Sequence, residues 1–232
     1  MWPDEYDLID LSLELNEDGN FFPGDSAPQV RGGPFSFVPG AHPEFVYEVE
    51  LSTQAGTHVQ GQHYFVADGK KIDQYPLARF EGPARVVDCR GANRIEVDFL
   101  RRALPEDRLD SLMLLFFTGF TAEILARKLA RGGLLRLDDL ADKPGLTAEG
   151  AQFLLERGAR FLGIDSVGFE PYPTTDHAIN RLLCAHDVLL LENLTRLELV
   201  PATGAWLECF PLPLAGVEGT PCRAIVKVPK SR

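Results

Sequence analysis

The sequence predicts a single mixed α/β domain, and three observations carry that prediction. The 232 residues are 45% hydrophobic and 25% charged, which is enough apolar content for one sizeable core. Stretches with strand-like alternation and stretches with helical apolar spacing follow one another along the chain. No internal repeat, low-complexity tract or long linker interrupts them. We therefore treat residues 1–232 as one domain with many strands and about four helices.

The individual elements follow from local patterns, taken in chain order. Strands are predicted over residues 6–15, 44–53, 84–89, 112–117, 159–166, 188–194, 205–214 and 222–228. Helices are predicted over residues 94–103, 122–131, 146–158 and 174–187, the last with a Thr or Asp cap. The third helix carries the most signals, because Thr147 is an N-cap residue type, Glu149 lies in the first turn and Gly158 follows the end. Residues 21–43 are rich in Gly and Pro and predict a loop with short extended pieces.

Charge and cysteine usage exclude several classes of function. The formal net charge is −11, and an acidic chain repels phosphate backbones, so no nucleic-acid partner is expected. No two of the four cysteines have Cys-x-x-Cys spacing, which argues against a zinc knuckle and a redox pair. The first residues do not form a signal peptide, and the apolar run 112–117 is too short to cross a bilayer. We expect a cytoplasmic protein with reduced thiols and no membrane partner.

The stretch STQAGTHVQGQHYFV, residues 52–66, is the main candidate site. If it is extended after a kink at position 56, His63 points away from a shared face that carries Gln54, His58, Gln60, Gln62 and Tyr64. So many polar side chains on one face predict either a polar cavity or a solvent-facing strand. His58 is then either a loop histidine with a local hydrogen bond or a site residue. Glutamine amides are weak metal ligands, so these residues alone make a poor metal site.

The same stretch resembles the signature of a metal-dependent cyclase family, His-x-Gly-Thr-His-x-Asp-x-Pro-x-His. This family includes bacterial kynurenine formamidases, isatin hydrolases and polyketide-cluster cyclases. Gly56, Thr57 and His58 match the signature. Four positions differ, at its first His, its Asp, its Pro and its last His: Gln54, Gln60, Gln62 and Tyr64. Further matching stretches include DLSLELNEDGNFFPGD, FFTGF, GIDS and LLLENL, so the resemblance covers nearly the whole chain. It implies a swivelling β/β/α fold with central barrel-like sheets flanked by helices.

The resemblance also implies that most metal ligands are replaced. The family uses both strip histidines and the Asp for one metal, and the Asp, a later His and a Glu for a second. Here the Glu matches Glu192 and the later His falls on Asn180, so only His58 and Glu192 remain of five ligand positions. Each replacement is a neutral amide, which predicts a cavity that stayed polar. We therefore expect no catalytic metal and no cofactor.

From these residues we predict a metal-independent enzyme acting on a largely apolar, oxygen-bearing small molecule. The expected catalytic residues are Glu192, His58 and Tyr64. The expected substrate-binding residues are amides, a histidine and aromatic wall residues: Gln54, Gln60, His63, Asn180, Phe21, Phe22 and Phe120. Ring closure of a flexible polyene or polyketide-derived chain, by cycloaddition or oxygen-ring formation, needs mainly positioning and a few hydrogen bonds. The resemblance thus favours a cyclase of polyketide or polyether antibiotic biosynthesis.

Two other functions remain open on sequence grounds. One is a metal-dependent amide or lactone hydrolase of the kynurenine formamidase type, with ligands shifted to His58, His63, His177 and Glu192. The other is a non-catalytic relative that binds a small molecule. The resemblance also implies a homodimer or homotetramer, with an N-terminal arm of residues 1–45 contributing to a neighbour's pocket. Residues 21–43 are then an exchanging or lid-like element, with an ordinary surface loop as the alternative.

Overall fold

The structure is a computed structural model that describes residues 5–16, 23, 25–35, 42, 44–132, 135–174 and 176–230. Two residues expected to line the cavity, Phe21 and Phe22, lie outside the described residues.

Within these residues, strands and the four α-helices alternate between residues 94 and 192, and strands without α-helices lie on either side of that region. The strands are β1 (Tyr6–Asp10), β2 (Gln29–Phe35), β3 (Glu44–Glu50), β4 (His58–Gln60), β5 (Glu81–Asp88), β6 (Arg94–Ile95), β7 (Met113–Phe117), β8 (Gly145–Leu146), β9 (Phe161–Ile164), β10 (Leu189–Glu192), β11 (Ala205–Glu208), β12 (Gly219–Pro221) and β13 (Ile225–Pro229). The helices are α1 (Val97–Ala103), α2 (Phe120–Arg131), α3 (Ala148–Glu156) and α4 (Ala178–Ala185).

One mixed sheet organises the molecule and curls strongly into a half-barrel. Its nine strands run in the order β1-β13-β11-β5-β7-β9-β10-β4-β12. The central strands β5, β7, β9 and β10 are parallel, and the flanking pairs are antiparallel. The pairs β2–β3 and β6–β8 form two small separate sheets. The predicted single α/β domain is therefore confirmed.

Strands β7 and β9 are apolar along their whole length, and every residue of β10 is buried, because both faces of the sheet are covered there. In β7, Leu114 packs in one hydrophobic cluster and Leu115 in another, and Leu190 and Leu191 of β10 divide in the same way. Helices α1, α3 and α4 cover the first face with Leu100, Leu154 and Leu183. The antiparallel strands β11 and β13 contribute Leu207 and Val226 to the second cluster.

The signals predicted for α3 are confirmed, whereas the fourth helix is shorter than predicted. The Thr147 side chain accepts a hydrogen bond from the Gly150 amide at 3.0 Å, and Gly158 adopts a positive φ of 81°. The prediction of a helix from residue 174 with a Thr or Asp cap is wrong. The N-cap of α4 is His177 in the left-handed conformation, with φ of 51° and no side-chain cap. A residue in that conformation cannot continue a right-handed helix, so α4 begins at Ala178.

The candidate strip is extended over three residues only. After β4, a 3₁₀ helix forms over Gln62–Tyr64, where the backbone N–H of Gln62 donates to the Tyr75 hydroxyl at 3.0 Å. The predicted shared face therefore holds for His58 and Gln60 but not for the residues that follow.

The β2–β3 pair is a hairpin outside the main sheet, and every residue of β3 is exposed. Phe45 is 70% exposed and Tyr47 is 55% exposed. Among the described helices, none is both long enough and apolar enough to span a bilayer.

Candidate acid–base site

The candidate site lies where the parallel strands β9 and β10 end at their carboxyl edge. Glu192 is the last residue of β10, and antiparallel pairing with β4 places it directly opposite His58. Gln60 lies two residues further along β4, on the same face as His58. The carboxyl edge of parallel strands is the usual place for ligands in α/β sheets.

The Gly-Thr-His motif anchors β4 to the end of β10. Gly56 has a positive φ of 60°, and its carbonyl accepts hydrogen bonds from the Asn193 amide and from His58 Nδ1, both at 3.0 Å. The Thr57 hydroxyl donates to the Asn193 carbonyl at 2.7 Å and accepts from the Leu13 amide at 2.9 Å. Because a carbonyl can only accept, Nδ1 of His58 carries the hydrogen and Nε2 faces the site as a lone pair.

Four of the predicted site residues come together in a buried polar cluster, which consists of His58, Gln60, Asn180 and Glu192. The Gln60 amide donates to Glu192 Oε1 at 2.8 Å, and His58 Nε2 lies 3.7 Å from Glu192 Oε2. Gly168 packs beside them, because a Cβ on it would lie 3.4 Å from Glu192 Oε2 and 3.5 Å from Asn180 Nδ2. All four side chains belong to buried residues.

Burial shifts the ionisation of both titratable members of the cluster. Desolvation lowers the pKa of His58 to about 4, although the Gly56 carbonyl and the Glu218 charge oppose the shift. Desolvation raises the pKa of Glu192, opposed by the positive charge of Lys143 and the hydrogen bond from Gln60. His58 is therefore neutral near pH 7, and its contact with Glu192 is not an ion pair.

Lys143 is a site residue that sequence reasoning missed. Its ammonium group is buried and donates to the Gly168 carbonyl at 3.2 Å and to the Glu170 carbonyl. Burial lowers the pKa of Lys143, and the charges of Glu192 and Glu170 oppose that shift. Lys143 precedes Pro144 in a loop, where a lysine ordinarily faces solvent, so no local pattern marks it.

Tyr64 lies at the edge of the buried cluster and is 38% exposed. Burial first, and then the charges of Glu192, Glu218 and Asp25, raise the pKa of Tyr64 to about 12. Its phenol therefore stays protonated and remains a hydrogen-bond donor near Glu192.

Three other predicted residues have different contacts from those expected. The Gln54 amide donates to Glu218 at 2.9 Å, outside the buried cluster. His63 Nδ1 faces the Val66 carbonyl of its own loop at 3.3 Å. Phe120 is buried in a separate hydrophobic cluster with Ile124, Leu135 and Leu140, so it packs the core beneath α2. Strand β4 ends on either side of His58–Gln60, which is why the Gln54 and His63 side chains turn away.

The residues present do not fit a divalent metal of the kind that the family resemblance implies. Neutral amides stand at three of the five aligned ligand positions, and zinc or manganese prefers imidazole, thiolate and carboxylate. The Gln60 N–H occupies Glu192 Oε1, and Lys143 supplies positive charge to the same carboxylate. Among the described residues, no three His, Cys, Asp or Glu side chains form a group able to hold a metal. The structure therefore does not bring together the shifted ligand set, which consists of His58, His63, His177 and Glu192.

Comparisons with known proteins find matches along nearly the whole chain. A family model described as “Putative cyclase” matches residues 9–171. The kynurenine formamidase of Bacillus cytotoxicus is 29% identical over 224 residues, which cover 94% of this chain and 96% of that protein. The kynurenine formamidase of Bacillus anthracis is 28% identical over the same length, with the same coverage.

Solved structures of two isatin hydrolases share the fold. Isatin hydrolase A from Labrenzia aggregata, bound to benzyl benzoate, has a TM-score of 0.78 at 21% identity, covering 97% of this chain and 94% of its own. Isatin hydrolase A from Ralstonia solanacearum has a TM-score of 0.79 at 18% identity, covering 96% of this chain and 92% of its own. The half-barrel with few helices is therefore common to this chain and to both hydrolases.

Proposed function

The chain belongs to this cyclase family, and from that premise we propose that it is a metal-independent cyclase of natural-product biosynthesis. It folds a flexible polyene or polyketide-derived substrate for ring closure, by cycloaddition or by formation of an oxygen-containing ring. The observation that carries the proposal is the buried acid–base cluster at the aligned ligand positions. There, Glu192 accepts a hydrogen bond from Gln60 and lies 3.7 Å from the His58 lone pair.

Each member of the cluster has a definite part in this chemistry. Glu192 holds or accepts a proton, because its raised pKa brings ionisation towards neutrality. The Gln60 amide fixes the carboxylate, and neutral His58 offers a second proton acceptor. The Tyr64 phenol donates a hydrogen bond to a substrate oxygen at the edge of the site. Burial excludes water, which strengthens each of these interactions.

The substrate test starts in the native host. Deleting the gene should cause an uncyclised precursor to accumulate, and the purified protein should convert it to the ring-closed product. A cycloaddition leaves the mass unchanged, so chromatography coupled to NMR identifies the new ring. Normal metabolite profiles in the deletion strain would argue against the proposal.

The metal test uses the purified protein. Its activity should survive dialysis against EDTA, and elemental analysis should find far less than one zinc or manganese per chain. Near-stoichiometric metal that is lost on His58→Ala would contradict metal independence. Turnover of the host precursor separates an enzyme from a non-catalytic binding relative.

A metal-dependent amide or lactone hydrolase is the second candidate, favoured by similarity to kynurenine formamidases over 94% of the chain. Assays with isatin and an aryl formamide, with and without added zinc or manganese, test it directly. We expect no hydrolysis by the wild type. The triple variant Gln54→His, Gln60→Asp, Asn180→His restores the family's ligand types and provides the matched comparison. Hydrolysis by the wild type without these changes would favour the second candidate.

We also propose that the protein works in the cytoplasm as a homodimer or homotetramer, with a largely apolar small molecule as its substrate. The exposed β2–β3 hairpin supports this, because an isolated two-stranded hairpin is only marginally stable in water. Its first strand, β2, belongs to the predicted N-terminal arm of residues 1–45, which would extend over a neighbour's site.

A further inference from the structure

The buried cluster contains an unusual group of hydrogen-bonding atoms without partners. Within the described residues, His58 Nε2, Gln60 Oε1 and Asn180 Oδ1 are inaccessible to solvent and make no hydrogen bond. The three residues are only 2%, 1% and 5% exposed. Buried polar groups in native proteins nearly always have partners, so three orphans in one cluster indicate a place for a ligand or bound water.

All three orphan atoms are hydrogen-bond acceptors. Nε2 of His58 is a lone pair because Nδ1 donates to the Gly56 carbonyl. The Gln60 amide spends an N–H on Glu192, which leaves its carbonyl oxygen free. The Ser166 hydroxyl, also buried without a partner near the end of β9, can either donate or accept. Among the described residues, the unpartnered atoms at the depth of the site are therefore three acceptors and one hydroxyl.

The space between His58 Nε2 and Glu192 Oε2 is also lined by hydrogen-bond acceptors. The 3.7 Å between Nε2 and Oε2 is too long for a direct hydrogen bond, and both atoms carry lone pairs when Glu192 is ionised. A donor placed beside them satisfies at least one. An ether or ketone oxygen placed between these two atoms would face their lone pairs and would leave both of them unpaired.

Resting on the function proposed above, we propose that this site recognises substrates by a hydroxyl group, which donates to the acceptors of His58, Gln60, Asn180 and Glu192. A free hydroxyl is thus required at the buried end of the ligand. A ligand with only ether or carbonyl oxygen at that end is rejected. The Tyr64 donor at the edge of the site then suits an oxygen acceptor elsewhere on the same molecule.

Binding of three matched probes tests the inference without any turnover. The probes are benzyl alcohol, benzyl methyl ether and benzaldehyde, which share one ring and differ in the donor. Titrations followed by ligand-observed NMR in EDTA-containing buffer give the dissociation constants. We expect benzyl alcohol to bind at least about five-fold more tightly than the other two, as one net hydrogen bond predicts. Equal or tighter binding of the ether or the aldehyde would overturn the inference.

Variants show whether the preference arises in this cluster. Gln60→Leu removes one acceptor and should reduce the preference for the alcohol at least two-fold. Gln62→Leu is the matched control. The side-chain oxygen of Gln62 accepts from the backbone N–H of Lys70 in an exposed turn, so this variant should leave the preference unchanged. Circular dichroism checks that both variants fold. If Gln60→Leu does not fold, the ratio of the wild-type dissociation constants for the alcohol and the other two probes decides the matter. A preference that persists in folded Gln60→Leu would contradict the assignment.

A cation is the competing occupant, since acceptors also suit positive charge. Titration of EDTA-free protein with zinc, manganese and potassium chlorides should not displace benzyl alcohol. Displacement at micromolar concentration that disappears in His58→Ala would identify a cation site and refute the inference. A protein that prefers the alcohol but converts no host precursor would contradict the proposed cyclase and leave this inference standing.

Discussion

The buried imidazole of His58 should contribute a loss of stability in mild acid, opposite in sign to the contribution of Glu192, whose pKa is raised on folding. Its pKa is 6.5 in an unfolded chain and about 4 when folded, because burial disfavours the charged ring. Between these values the unfolded state binds one proton more, so stability falls as the pH drops from about 6.5 to about 4. Well inside that window, each pH unit changes the free energy of unfolding by about 1.36 kcal/mol per group. Between pH 6.5 and pH 4.5 the loss from His58 is about 2 kcal/mol, because the unfolded-state imidazole is already half protonated at pH 6.5.

Urea unfolding of the wild type and of His58→Gln at pH 7.5 and pH 4.5 measures this loss. At pH 7.5 the variant should be less stable by about 1–3 kcal/mol, because a buried group loses its hydrogen bond to Gly56. At pH 4.5 the wild type alone bears the histidine penalty, so the two stabilities should converge or cross. His186→Gln removes an exposed imidazole and serves as the control. A stability gap between wild type and His58→Gln that changes by less than about 0.5 kcal/mol between the two pH values would show that His58 is not a buried neutral imidazole.

Four further predictions concern the site, the hairpin and α3. Glu192→Gln should lower kcat on the native substrate by about 10²–10⁴-fold while the circular dichroism spectrum stays unchanged; near-normal turnover would remove Glu192 from the catalytic role. Lys143→Met removes the cation that favours ionised Glu192, so the pH–rate profile should shift to higher pH, and an unshifted profile would count against their coupling. The double variant Phe45→Ser, Tyr47→Ser should be smaller than the wild type by light scattering, whereas a monomeric wild type would contradict the proposed oligomer. Thr147→Ala should lower the free energy of unfolding by about 1 kcal/mol in urea titrations, and no loss would mean that its N-cap bond is energetically neutral.

Much of the fold could be predicted because burial and local signals agree along most of the chain. The apolar run at residues 112–117 became the fully buried β7, and the Thr147 cap placed α3 to within a residue or two. The fourth helix was predicted too long because composition alone does not reveal the left-handed His177 that starts it. The strip after Gln60 was predicted extended, but the Tyr75 hydroxyl binds the Gln62 amide and the chain turns.

The site was predictable only where sequence neighbours or the family resemblance pointed to it. His58 and Gln60 share a face by strand periodicity, and the resemblance brought Asn180 and Glu192 to them. Lys143 could not be found in this way, because tertiary packing alone brings its ammonium behind Gly168. The partners of Gln54 and His63 likewise depend on where the loops fold, which no periodicity encodes.

The strand order has a consequence for how the protein is made. Among the described strands, β1 pairs only with β13, with Tyr6 opposite Pro229, so β1 leaves the ribosome long before its partner. At about 5–20 residues per second, roughly 10–45 s separate the synthesis of these two strands. Strand β4 waits in the same way for β10 and β12. During that interval the nascent chain carries unpaired strand edges, and the acid–base cluster is completed only after β10 has been made.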